Sequence, residues 1–245
     1  MRALRIVLIV VVVLAGLFVA ADRVAVSYAE DRAADELRRS EDLTERPDVS
    51  IHGFPFLTQL AAGELDEIQV GIADFEAAAE RGAETIHVED LDAHMRGVRF
   101  SDDFGSATAH SATGSALIPY RELLKATQVK SVEVAPGVTA RVVRLSDGGH
   151  GKVKVTAAAT VLGKKLATPI TVMSTLSVEG DRVKAHAESL PKFGDVPVAE
   201  SRVRRITDFQ QTITGLPAGV HIDSVSAAPD GVHITVVGKD VRLAG

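Results

Sequence analysis

Sixteen consecutive apolar or small residues, Ile6 to Ala21, constrain this chain more than any other feature. Arg2 and Arg5 precede the run, and Asp22 and Arg23 end it. A helix apolar on every side does not suit the core of a cytosolic domain. A basic start, an apolar middle and a small-residue end at Val19-Ala20-Ala21 describe an export signal. The run is slightly short of the roughly 20 residues that span a bilayer, although Leu4 and the flanking alanines extend it. A cleaved signal and a retained anchor therefore both stand. With the arginines kept inside, the remainder lies outside the cytoplasmic membrane. Residues 1–21 form the signal or anchor, and 22–245 form one domain with no linker that divides it.

The exported part must fold without disulfides, because the chain has no cysteine. Packing alone holds it, so it needs a sizeable core. The absence of cysteine also excludes thiolate zinc sites and a cysteine nucleophile. Formal net charge is −6 for the whole chain. It becomes −8 without residues 1–21, which carry two arginines and no acid. That balance speaks against nucleic acid as a partner.

Hydrophobic spacing predicts the elements. Residues 22–43 read as a helix, with Val24, Tyr28, Ala29, Ala33 and Leu37 recurring between charged residues. Pro47 ends it. Ile68, Val70 and Ile72 alternate. Ile86 and Val88 alternate too, and the pattern shifts to Leu91, Ala93 and Met95, which suggests a bulge at Asp90–Leu91. Residues 105–117 suit a strand of small side chains, and Pro119–Thr127 a short helix. Further strands follow: Val153 to Val161, one reaching from Leu166 to Val178, and Val183 to Ala187. Turns are expected at Asp147–Gly149, Gly163 and Glu179–Asp181. Arg202–Thr214 reads as a helix, and a hairpin of Val220–Val225 and Val232–Val237 closes the chain. The class is α+β, a large twisted antiparallel sheet of about nine to eleven strands around helices. Such a sheet can leave an elongated apolar crevice.

Motifs for chemistry are sparse. The eight histidines form no HExxH pair, and His87 with Glu89 and His94 is the nearest approach to a metal set. No GxSxG, GxxxxGK[ST] or GxGxxG occurs, and Thr113-Gly114-Ser115 is a lone Gly-Ser in a strand. Gly148-Gly149-His150-Gly151 reads as a turn in preference to an anion cradle. Acidic pairs such as Asp102-Asp103 read as solvated turns. Lys152, Lys154, Lys164 and Lys165, and Arg202, Arg204 and Arg205, make local basic spots that read as a solvated face in preference to a site for lipid phosphates. No catalytic residue, metal or cofactor is assigned, and the chain is not expected to be an enzyme.

The segment Gly53-Phe54-Pro55-Phe56-Leu57 is the most unusual. Its apolar side chains can plug the core. They can equally line or gate a crevice for acyl chains, where each buried methylene is worth about 0.8 kcal/mol. The candidate lipid-binding residues are Phe54, Phe56, Leu57 and Leu60.

The stretch PDVSIHGFPFLTQLAAGELDEIQV, the apolar start, the acidic helix and the closing GLPAGVHIDSVSAAPDGVHITV resemble the lipomannan elongation factor A-like (LmeA) family of actinobacteria. The most specific piece is Ile51 to Leu57, followed by Gln59 and Gly63. The resemblance implies a cell-envelope protein that binds phospholipid and supports envelope glycolipid synthesis. It also implies a fold similar to tubular lipid-binding folds. The expected partners are phospholipid, the membrane and an envelope glycosyltransferase. The alternatives are a membrane-tethered interaction domain without lipid cargo, and an envelope hydrolase or transferase that uses scattered acids.

Overall fold

The structure is a computed structural model that describes residues 2–78, 85–103, 105–126, 131–188, 204, 208–212 and 216–244. Helix α1 (Arg2–Ser40) runs without a break from the apolar segment into the domain. Every large apolar side chain from Leu4 to Val19 is exposed. Beyond Ala21 the same helix is amphipathic, and Val26 and Ala34 are buried. Arg38 and Arg39 in its last turn suit the negative end of the helix dipole. Asp42 takes a positive φ, and the Leu43 N–H bonds the Arg38 carbonyl, which closes the helix.

The other elements are β1 (Asp48–His52), α2 (Phe56–Ala62), β2 (Glu64–Ala78), β3 (Thr85–Phe100), β4 (Ala107–Pro119), α3 (Tyr120–Ala126), β5 (Val132–Ala135), β6 (Val138–Gly149), β7 (Lys152–Val161), β8 (Lys164–Lys165), β9 (Ile170–Glu179), β10 (Arg182–Ala187), β11 (Phe209–Thr212), β12 (Val220–Ala227) and β13 (Gly231–Ala244). The α+β class and the antiparallel, curled sheet are as expected. The strands divide into two sheets. One has the order β1-β2-β3-β4-β13-β12; the other has β11-β10-β9-β7-β6-β5, with β8 beside β7.

Three apolar clusters hold these layers. Val26 of α1 and Phe56 of α2 pack on Leu65, Val98, Ala109 and Val241 of the six-stranded sheet. Val153 and Val155 of the second sheet meet Ala227 and Val232 of the β12–β13 hairpin, with Tyr120 and Leu123 of α3 alongside. Val134, Val138, Ala140 and Ala159 form the third cluster, inside the second sheet.

Several expectations hold in detail. The register of β3 against β4 shifts between Glu89 and Asp92, and Asp90 has a positive φ, as a bulge requires. Val183, Ala185 and Ala187 are the buried face of β10. Two readings need correction. Phe209–Thr212 is a strand paired with β10, not helix. The apolar spacing there fits both periods, and Thr212 is β-branched; pairing to an open edge decides it. Most of the remaining 202–214 stretch lies outside the described residues. The Leu166–Val178 strand begins only at Ile170, because Pro169 has no N–H to give a ladder. The GFPFL segment runs directly into helix α2. Its seven residues follow Pro55, whose fixed φ suits the entry to a helix.

A two-faced sheet and the helix end that closes it

Cross-strand partners lie on the same side of a sheet, so the register shows what each face carries. One row crosses all six strands as Val49, Val70, Ala93, Gly114, Val236 and Ile222. The next row is Ile51, Ile68, Met95, Ala112, Gly238 and Val220. Both rows are apolar or small throughout. The row between them, on the opposite face, is Ser50, Gln69, His94, Thr113, Val237 and His221. Glu67, Arg96, Ser111 and Lys239 continue that polar face. Six strands at about 4.8 Å make an apolar floor roughly 24 Å wide.

The floor is covered unevenly. The Ile51–Val220 row packs against the α1–α2 cluster. In the Val49–Ile222 row the two ends are buried, whereas Val70, Ala93, Gly114 and Val236 in the middle are half-buried. Small residues keep this middle shallow. A Cβ on Gly114 would come within 2.9 Å of Val236 Cγ2. Gly114 is therefore a packing residue of the floor, which explains the lone Gly-Ser in β4.

The GFPFL segment sits at one end of this face. Phe56 is buried in the α1–α2 cluster, and Leu57 packs against it half-buried. Phe54 is 58% exposed and Leu60 36%. The four candidates thus divide into a buried pair and an exposed pair. Gly53 turns the chain at φ +109°, and a side chain there would strike the Gln59 amide, only 2.2 Å from the Cβ position. That contact and the positive φ account for glycine at position 53.

The residue that sequence reasoning missed is Asp22. It is fully buried, and its Oδ1 accepts the Leu57 N–H at 2.8 Å. Pro55 offers no side-chain cap to α2, so a carboxylate from α1 satisfies that donor. Burial pushes the Asp22 carboxyl up. The Arg23 guanidinium and the N–H groups of Leu57 and Phe56 outweigh burial and hold it below the ordinary Asp value. The Arg23 guanidinium lies 5.2 Å from the Phe54 ring centroid, a cation–π contact. Farther along α1, Glu30 Oε1 accepts the Ile51 N–H at 2.8 Å. Arg46 pairs with Asp31 and Asp35. The signal in the sequence was that Asp22 is the first charge after the apolar run.

Next to the exposed end of α2 is an open depression of about 350 Å³, lined by Ala62, Gly63, Glu64, Arg99, Ser101 and Asp102 among others. The other candidate chemistry does not converge on it. His87 pairs with Asp74 and Glu76, and His94 with Glu67 and Asp92. Among the described residues, no three His or acidic residues are placed to share a metal ion.

A family model described as LmeA-like phospholipid-binding matches residues 20–237, nearly all of the chain beyond the apolar run. The chain belongs to the LmeA-like phospholipid-binding family. As a member of that family it has a lipid-binding role, and the family is a phospholipid-binding one rather than a known enzyme family. Comparison with curated proteins and with solved structures gave no match. The match to the LmeA-like family begins at Ala20, just before the buried Asp22.

Proposed function

We propose that this LmeA-like protein is held at the outer face of the cytoplasmic membrane by its N-terminal helix. There it shelters the acyl chains of a phospholipid against the apolar face of the six-stranded sheet. In this role it supports synthesis of envelope glycolipids, in contact with an envelope glycosyltransferase. The observation that carries the reading is the register: two unbroken apolar rows over six strands, half-buried at their small-residue centre, backed by polar rows. Tails laid on Val70, Ala93, Gly114 and Val236 would be removed from water at about 0.8 kcal/mol per methylene. Phe54 and Leu60 would form the rim, and Phe56 and Leu57 would brace the end wall. Holding a lipid needs no general acid, base or metal.

A phospholipid with a photoreactive group on its acyl chain tests this directly. After illumination, crosslinks are expected on peptides that contain Val70, Ala93 or Met95. Crosslinks only on the polar face, or none in a protein that remains folded, would refute the acyl-chain site. An apo protein that still captures an envelope enzyme would point instead to a tethered interaction domain.

A further inference from the structure

The path of the chain fixes which end of the domain lies next to the apolar run. Helix α1 leaves its apolar run at Ala21, and the next residue is already buried in the domain. No linker separates the two. Beyond Ala21, α1 climbs past α2 and β1, and the chain then descends beside it. Arg46 pairs with Asp31 and Asp35, Ile51 bonds Glu30, and Leu57 bonds Asp22. Strand β1 thus runs antiparallel to α1 and brings the β1–α2 turn back to the level of Ala21. The sheet register carries that level sideways, from Glu64 to Arg99 and from Phe100 through Ala107 to Ala244. Phe54, Leu60 and Leu243 are exposed at this end.

We propose that this end of the domain is a bilayer-docking surface, with Phe54, Leu60 and Leu243 seated among phospholipid headgroups. The inference rests on α1 being a retained anchor, as in the reading above, and goes further in assigning the face that touches lipid. Two outward residues of α1, Val24 and Tyr28, lie just beyond the apolar run and are exposed as well. The Arg32 guanidinium lies over the Tyr28 ring. Tyrosine with an adjacent cation suits the headgroup layer. Charges at this end are mixed, with Arg23 and Arg99 beside Glu64 and Asp102. Apolar insertion therefore dominates, and docking should depend little on salt. The seat would place the rim of the lipid-binding face against the source of its lipid.

The chain has no native cysteine, so a single introduced thiol reports one place. Phe54→Cys, Leu60→Cys and, as a distant control, Asp230→Cys are each labelled with an environment-sensitive fluorophore in the full chain. Asp230 lies at the opposite end of β13, roughly 40 Å from Leu243 at about 3.3 Å per residue. The proteins are reconstituted into phosphatidylcholine vesicles, with and without phosphatidylglycerol, that contain lipids brominated near the headgroup. Labels at 54 and 60 are expected to lose most of their emission in both vesicle types and in high salt, while the label at 230 keeps its own. Protein that floats with the vesicles but shows no quenching at 54 and 60 overturns the docking surface and leaves anchoring intact. Protein that does not float overturns both, whereas lipid uptake by the same protein is measured separately and bears only on the acyl-chain site.

Discussion

The Asp22 carboxylate accepts the Leu57 N–H at 2.8 Å, so the residue that ends the apolar run also caps the short helix behind the rim. The two residues stand 35 positions apart in the chain. This one bond ties the apolar N-terminal segment to the candidate lipid-binding face. Asp22→Ala would leave a donor of α2 without a partner and expose a cavity beside Phe56. A thermal midpoint lower by several degrees is expected, with the fold retained.

The same group sets a pH dependence. Its folded pKa is depressed below 3.8, so its stabilisation is fully present above roughly pH 5. It is lost as pH falls through the unfolded value toward the folded one. Glu67, Asp103, Glu188 and Asp230 are depressed as well, each chiefly by a hydrogen bond to its carboxylate. Stability is therefore expected to fall steeply below about pH 4. Asp22→Asn should make the acid limb of a midpoint-against-pH curve shallower. An unchanged limb would remove Asp22 from this account.

Phe54 and Phe56 are two residues apart and should behave oppositely. Phe56→Ala empties a buried site in the α1–α2 cluster and should cost about 3–5 kcal/mol in denaturant unfolding. Phe54→Ala removes an exposed ring and should change stability by no more than about 0.5 kcal/mol. Its effect belongs in lipid uptake from vesicles, which should slow.

Filling the floor is a sharper test of the lipid site. Ala93→Phe places a large ring in the half-buried middle of the apolar row. Bound phospholipid should drop several-fold while the circular dichroism spectrum is unchanged. Thr113→Val, on the polar face one strand away, should leave loading as it was.

Ser174 offers a stability test. Its hydroxyl is buried on β9 and has no hydrogen-bond partner among the described residues. Replacing an unsatisfied buried hydroxyl with a methyl group is neutral or favourable. Ser174→Ala is expected to hold or raise the unfolding midpoint; a clear loss would mean that the hydroxyl is hydrogen-bonded in the folded protein.

Much of this was legible along the chain, because periodicity is local. Parity alone exposed the bulge at Asp90, and alternation alone gave the buried face of β10. What distant residues decide could not be read that way. Phe209 to Thr212 fit a helical spacing until β10 offered an edge to pair with. The floor itself exists only through register, since Val70, Ala93, Gly114 and Val236 belong to four strands. Phe54, Phe56, Leu57 and Leu60 stand close together in one apolar segment of the sequence. Their division into exposed and buried pairs depends on α1 returning Asp22 and Val26 to that spot.

Native mass spectrometry of the full chain, released from membranes in mild detergent, tests the central claim most directly. The account predicts a species heavier than the polypeptide by the mass of one phospholipid, reduced several-fold in Ala93→Phe. A folded wild-type protein found only at its own polypeptide mass, even after incubation with phospholipid vesicles, would contradict it.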